Sequence, residues 1–152
     1  MQTLAQPYTQ IEEWLLDYLR TMADMERQCN RSEELNLYQR MLNEGQFFKP
    51  DHLLRGYRLG KVKECFYNAA NLVLFNNDDE LRYVEGIAYS GLIPTPHAWA
   101  IDIDNRVIDN TWRTRGKYGC EPEKKAYFGI IVPTDELRKE ILRTKIWGMF
   151  WK

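Results

Sequence analysis

Residues 64–75, ECFYNAANLVLF, are apolar almost all round, so a helix built on them has no face to give to water. It must be enclosed by other elements, and a chain of 152 residues is long enough to build one such core. We therefore expect a single domain over residues 1–152. Its parts are a helical N-terminal portion (1–45), a core that carries the chemistry (60–115), and a C-terminal strand, helix and tail (120–152).

The flanking segments say what encloses that helix. Thr9 and Glu12 stand at capping-box spacing. Behind them Ile11, Trp14, Leu15, Tyr18, Leu19, Met22 and Met25 recur at helical spacing and predict one amphipathic helix. A second begins near Ser32, carries Leu35, Leu37, Tyr38, Met41 and Leu42, and stops at Gly45. Residues 46–62, with Pro50, Gly56 and Gly60, read as an irregular connection. Asn76 and Asn77 end the buried helix, and the period then changes to two. RYVEGIAY, HAWAIDI, RVIDNTW and KAYFGIIV read as strands, with Asp104-Asn105 as a two-residue hairpin turn. Pro133-Thr134 opens a last helix, DELRKEILRTK, before the apolar tail IWGMFWK. Helices first, then an antiparallel meander, then a helix imply an α+β fold.

Composition narrows the function. A net charge of −1 supplies no field for nucleic acid or an anionic membrane, and no basic groove accompanies the aromatics. No apolar run is long enough to span a bilayer, and MQTLAQPYTQIEEW lacks the marks of a signal peptide, so a cytoplasmic protein is expected. Cys29, Cys65 and Cys120 are odd in number and widely spaced, which argues against a disulfide framework. With His52 and His97 the only histidines, a structural zinc site is not expected, and no cofactor is implied.

Two residues suggest chemistry. Cys65 falls in the first turn of the buried helix, where unpaired N–H groups and the helix dipole favour a thiolate. Those N–H groups also suit the oxyanion of a tetrahedral intermediate. Alone, a buried cysteine is more often a small apolar filler. His97 opens a strand just after Pro94 and Pro96, at the end of the sheet, where an imidazole can meet a thiol. Without that thiol it would be an ordinary strand-end histidine.

Together these residues resemble the transglutaminase-like and papain-like cysteine enzymes. That family has a Cys opening a buried helix, then H-A-W on one strand and D-x-T-W on the next. The chain carries Cys65, His97-Ala98-Trp99 and Asp109-Asn110-Thr111-Trp112. The likeness covers roughly residues 60–115 and implies a papain/transglutaminase-like core, with the Cys-bearing helix packed on a small antiparallel sheet. It implies that Cys65 forms an acyl-enzyme, that His97 is its base, and that Asp109 orients the imidazole. Papain-like relatives use asparagine in that third role, so Asn110 is the alternative. A two-residue turn at Asp104-Asn105 sets Asp109 opposite Ala100, away from His97, and Asn110 opposite Trp99, on the same face. A bulge or a three-residue turn reverses that parity. The motif favours Asp109.

Other residues have weaker claims. Gln46 or Tyr57, upstream of Cys65, are candidates for an oxyanion side chain. Trp112 is a candidate shelter for the His–carboxylate contact, and Glu85 a candidate cleft residue, with a solvated strand position as its plainer reading. Trp99 reads as core, Asp102 and Asp104 as hairpin residues, His52 as a loop residue, and Cys120 as a thiol with no histidine nearby in sequence. The terminal helix with Trp147, Phe150 and Trp151 reads as packed on the sheet. The expected function is acyl transfer on an amide or isopeptide-type bond of a protein or peptide-like substrate, with hydrolysis ahead of transglutamination or deamidation. An inactive binding module of the same fold, and metal-assisted hydrolysis through Cys65, His97 and Asp109, are the competing readings.

Overall fold

The computed structural model describes residues 9–29, 36–53, 56–76, 80–112 and 119–151. They form four α-helices and a curled five-stranded antiparallel sheet. In chain order the elements are α1 (Gln10–Cys29), α2 (Leu37–Glu44), β1 (Gln46–Phe48), α3 (Cys65–Phe75), β2 (Arg82–Tyr89), β3 (Thr95–Ile101), β4 (Val107–Ile108), β5 (Ala126–Val132) and α4 (Thr134–Thr144).

Helix α1 starts where the Thr9 hydroxyl accepts the Glu12 N–H at 3.1 Å, filling one of the orphan donors of the first turn. Its buried face is Leu15, Leu16, Leu19 and Ala23. Trp14 and Met25, expected on that face, are 57% and 52% exposed, so the apolar stripe is narrower than the spacing suggests. Helix α2 ends at Gly45 as expected, while Ser32 and Leu35 lie outside the described residues. Residues 46–48, read as irregular, are a strand: Gln46, Phe47 and Phe48 pair with Gly129, Phe128 and Tyr127. Three residues are too few to show a period.

The sheet order β1-β5-β2-β3-β4 corrects the expected meander. β2, β3 and β4 follow one another, but β5 returns to the far side of β2 and carries β1 outside it. The helix-facing side divides in two. α1 and α2 cover Ile87, Ala126, Phe128 and Ile130, and α3 and α4 cover Tyr83, Ala98, Ala100 and Val132. Ala69 and Ala70 of α3 join Ala98 and Ala100 of β3 in that second cluster, and four small side chains allow helix and strand to lie close. The inner side of the curl holds Phe48, Val84, Trp99, Ile101, Val107 and Tyr127. Trp99, expected in the core, is completely buried there.

Two glycines shape the middle of the sheet. Gly86 of β2 lies opposite both His97 and Gly129. A Cβ on Gly86 would stand 2.1 Å from the Phe128 carbonyl oxygen, so only glycine permits this approach. The curl closes where Lys49, just after β1, meets the β3–β4 loop: Val107 N–H donates to the Lys49 carbonyl at 2.9 Å.

That loop also corrects the expected turn. β3 and β4 pair Ala100 with Ile108 and Ile101 with Val107. The connection is therefore three residues, Ile103–Asn105, between Asp102 and Arg106. Asn105 adopts φ +60°, a left-handed conformation that asparagine tolerates. The Asp102 carboxylate fixes the loop by accepting the N–H groups of Asp104 and Arg106 and the Arg106 guanidinium, all at 2.9 Å.

Candidate active site

The extra loop residue decides which side chain meets His97. Continuing the observed register puts Asp109 level with Trp99, on the inner face that carries His97. There the Asp109 Oδ2 lies 2.8 Å from His97 Nε2. Asn110 turns away. Its carbonyl accepts the Gly60 N–H at 2.7 Å, and its amide reaches the Asn68 carbonyl at 3.5 Å.

The Asp109 carboxylate takes four donors. The N–H groups of Thr111 and Trp112 reach Oδ1 at 2.9 and 3.0 Å, as the chain turns back on itself. His97 and the Tyr127 hydroxyl share Oδ2, each at 2.8 Å. Four hydrogen bonds are what a buried carboxylate needs to stay ionised. Asp109 therefore sits below its ordinary range: burial opposes this, and His97 and the two N–H groups outweigh it.

Cys65 comes from the other side. It is the first residue of α3 and 9% exposed. Glu64 precedes it with no side-chain cap, so the first-turn N–H groups keep their positive end near the sulfur. The loop before it is held by Asn68. Its side chain accepts the Lys61 N–H at 3.0 Å and donates to the Lys61 carbonyl at 2.8 Å and the Thr111 hydroxyl at 2.9 Å. One asparagine thus ties the Cys65 helix to the segment that carries Asp109. A Cβ on Gly60 would fall 2.2 Å from the Asn68 Cγ, so a larger residue there would have to displace the Asn68 side chain.

His97 lies between these groups. Burial alone would lower its pKa, but the Asp109 carboxylate and a side-chain hydrogen bond with Cys65 overcome that and lift it to about 9. With Nε2 on Asp109, Nδ1 is the ring nitrogen not engaged by the carboxylate. Trp112 stacks on the imidazole, ring centroids 4.1 Å apart and planes 20° apart, and covers the contact with Asp109.

The remaining candidates are placed as follows. Gln46 is on β1, with β5 and β2 between it and the His97 strand. Tyr57 packs against the cluster under α3. Glu85 is neither solvated nor in an open cleft. It is completely buried on the helix-facing side, accepting from the Tyr83 hydroxyl at 2.9 Å and from the N–H groups of Met149, Phe150 and Trp151 at 2.7–3.0 Å. The Cys120 thiol donates to the Glu121 carbonyl at 3.6 Å. Among the described residues, no three His, Cys, Asp or Glu side chains gather as a metal site.

Asn68 and Tyr127 are the two participants not singled out from the sequence. Asn68 left a trace, as one of two asparagines in a mostly apolar run and the one that falls a turn after Cys65. Tyr127 left none, because it arrives from β5 through long-range pairing.

Chemically, the site joins a thiol at a helix N-terminus to a carboxylate-backed imidazole on which that thiol acts. No family model, curated protein or solved structure matches the chain. Among the described residues, no helix is long and apolar enough to cross a membrane.

Proposed function

We propose that this protein is a cysteine acyl-transfer enzyme with a papain/transglutaminase-like core, acting on an amide or isopeptide-type bond of a protein or peptide-like substrate. The observation that carries this reading is the buried His97 imidazole with Nε2 on the Asp109 carboxylate at 2.8 Å and Cys65 among the groups that act on it. A carboxylate in that place favours the imidazolium, the acid that a leaving amine needs. Three free thiols fit a reducing, cytoplasmic setting.

In the reaction, the Cys65 sulfur attacks the carbonyl carbon, and the N–H groups of the first turn of α3 receive the oxyanion. The C–N bond breaks as His97 passes a proton to the leaving amine. Water, deprotonated by His97, then attacks the thioester, releasing the acid and restoring the thiol. Hydrolysis is preferred to transfer because water needs no second binding site.

The test is timed iodoacetamide labelling near neutral pH, read by peptide mass spectrometry. Cys29, which is exposed, is the internal reference thiol. Cys65 is expected to label faster despite its burial, and His97→Gln to remove that advantage. A Cys65 that labels no faster than Cys29 defeats the proposal.

A further inference from the structure

Tyr127 is the one member of the Asp109 shell that belongs to neither the His97 nor the Asp109 segment. It sits on β5, separated from β3 by β2, and its ring is 1% exposed. The ring packs edge-on against Trp99 with centroids 5.0 Å apart, so the hydroxyl is delivered from a rigid aromatic wall. It donates to Oδ2, the oxygen that also takes His97.

We propose that Tyr127 is a positioning residue of this site, fixing the Asp109 carboxylate so that the imidazole is aimed at Cys65. The inference rests on the reading above, since it gives Tyr127 a role in that same site. Without the hydroxyl, Asp109 is held only through Oδ1 and through His97 itself, and can pivot about its two N–H contacts. The hydroxyl also sets its positive end beside the imidazole, so its removal leaves the imidazolium more favoured. The other groups facing His97 are Cys65 from α3 and Asp109. Lys125, at the start of β5, acts on Asp109, and Tyr83 of β2, bonded to Glu85, acts on Cys65.

Tyr127→Phe keeps the ring and removes only the donor. With two histidines in the chain, His97 can be followed by imidazole NMR, assigned by comparison with His97→Gln. The His97 midpoint is expected to rise by about half to one pH unit in Tyr127→Phe, and the shift to vanish when Asp109→Asn is added. 3-Fluorotyrosine at position 127, a stronger donor of the same shape, should move the midpoint the other way; it also serves if the phenylalanine variant folds poorly. A purely structural Tyr127 would change stability and leave both midpoints where they were, and that result overturns the proposal. The titration needs no turnover. A responsive His97 beside an unreactive Cys65 would therefore defeat the enzymatic reading alone, whereas a reactive Cys65 with an unmoved His97 would defeat this one.

Discussion

Asp109→Asn should change how stability depends on pH, not merely its level. In the wild type the buried His97 titrates near 9, against an ordinary value of 6.5. Between those two pH values the folded chain holds a proton that the unfolded chain has released, so stability falls as pH rises, by about 1.4 kcal/mol per pH unit. The whole contribution, about 3 kcal/mol, is present below pH 6.5 and is lost as pH climbs through 9. Asparagine at 109 removes the charge, burial then governs the imidazole, and His97 is neutral when folded. The stability gap between the two proteins should therefore be wide at pH 6 and narrow by about 3–4 kcal/mol by pH 10. Urea titrations followed by tryptophan fluorescence at pH 6, 8 and 10 measure it. A gap that stays constant across that range would mean that His97 carries no proton in the folded protein, and the electrostatic argument would fail.

Two further outcomes follow from packing. Gly86→Ala should cost upwards of about 3 kcal/mol, because the new Cβ meets backbone on a strand paired along both edges; a thermal midpoint within a degree or two of wild type would contradict this. Glu85→Ala leaves the Tyr83 hydroxyl and three N–H groups without their acceptor, and should cost about 3–5 kcal/mol. Hydrogen exchange should then show the amides of Met149, Phe150 and Trp151 losing protection, and unchanged protection would show that Glu85 does not hold the tail.

Much of this architecture was legible because it is local. A helix at 64–75 was foreseen from the absence of a polar face, but it is less enclosed than that implies, with Cys65, Asn68, Ala69, Ala70 and Val73 buried and Phe75 76% exposed; β2 was legible as a strand. The place of Cys65 needed only the helix start. The third member at the site was less accessible, because its side of the sheet depends on one residue in a loop. The motif pointed to Asp109 while the assumed two-residue turn pointed to Asn110. The left-handed Asn105 and the carboxylate of Asp102 lengthen that loop and bring Asp109 round. Glu85 was misread because a charged residue in a strand is normally solvated, and its acceptors' partners lie more than sixty residues away in the tail. β1, the return of β5 beside β2, and the hydroxyl of Tyr127 share that cause: each is fixed by pairing between distant parts of the chain, which no local pattern records.

The seam between Lys49 and Val107 has a consequence for how the molecule behaves in a crowd. The outermost strands of a sheet ordinarily present main-chain groups that recruit a neighbouring polypeptide and seed fibres. Here the ends of β1 and β4 spend some of those groups on each other. A lesion that opened the seam would uncover a template for self-association at the same moment that it released the loop aiming Asp109.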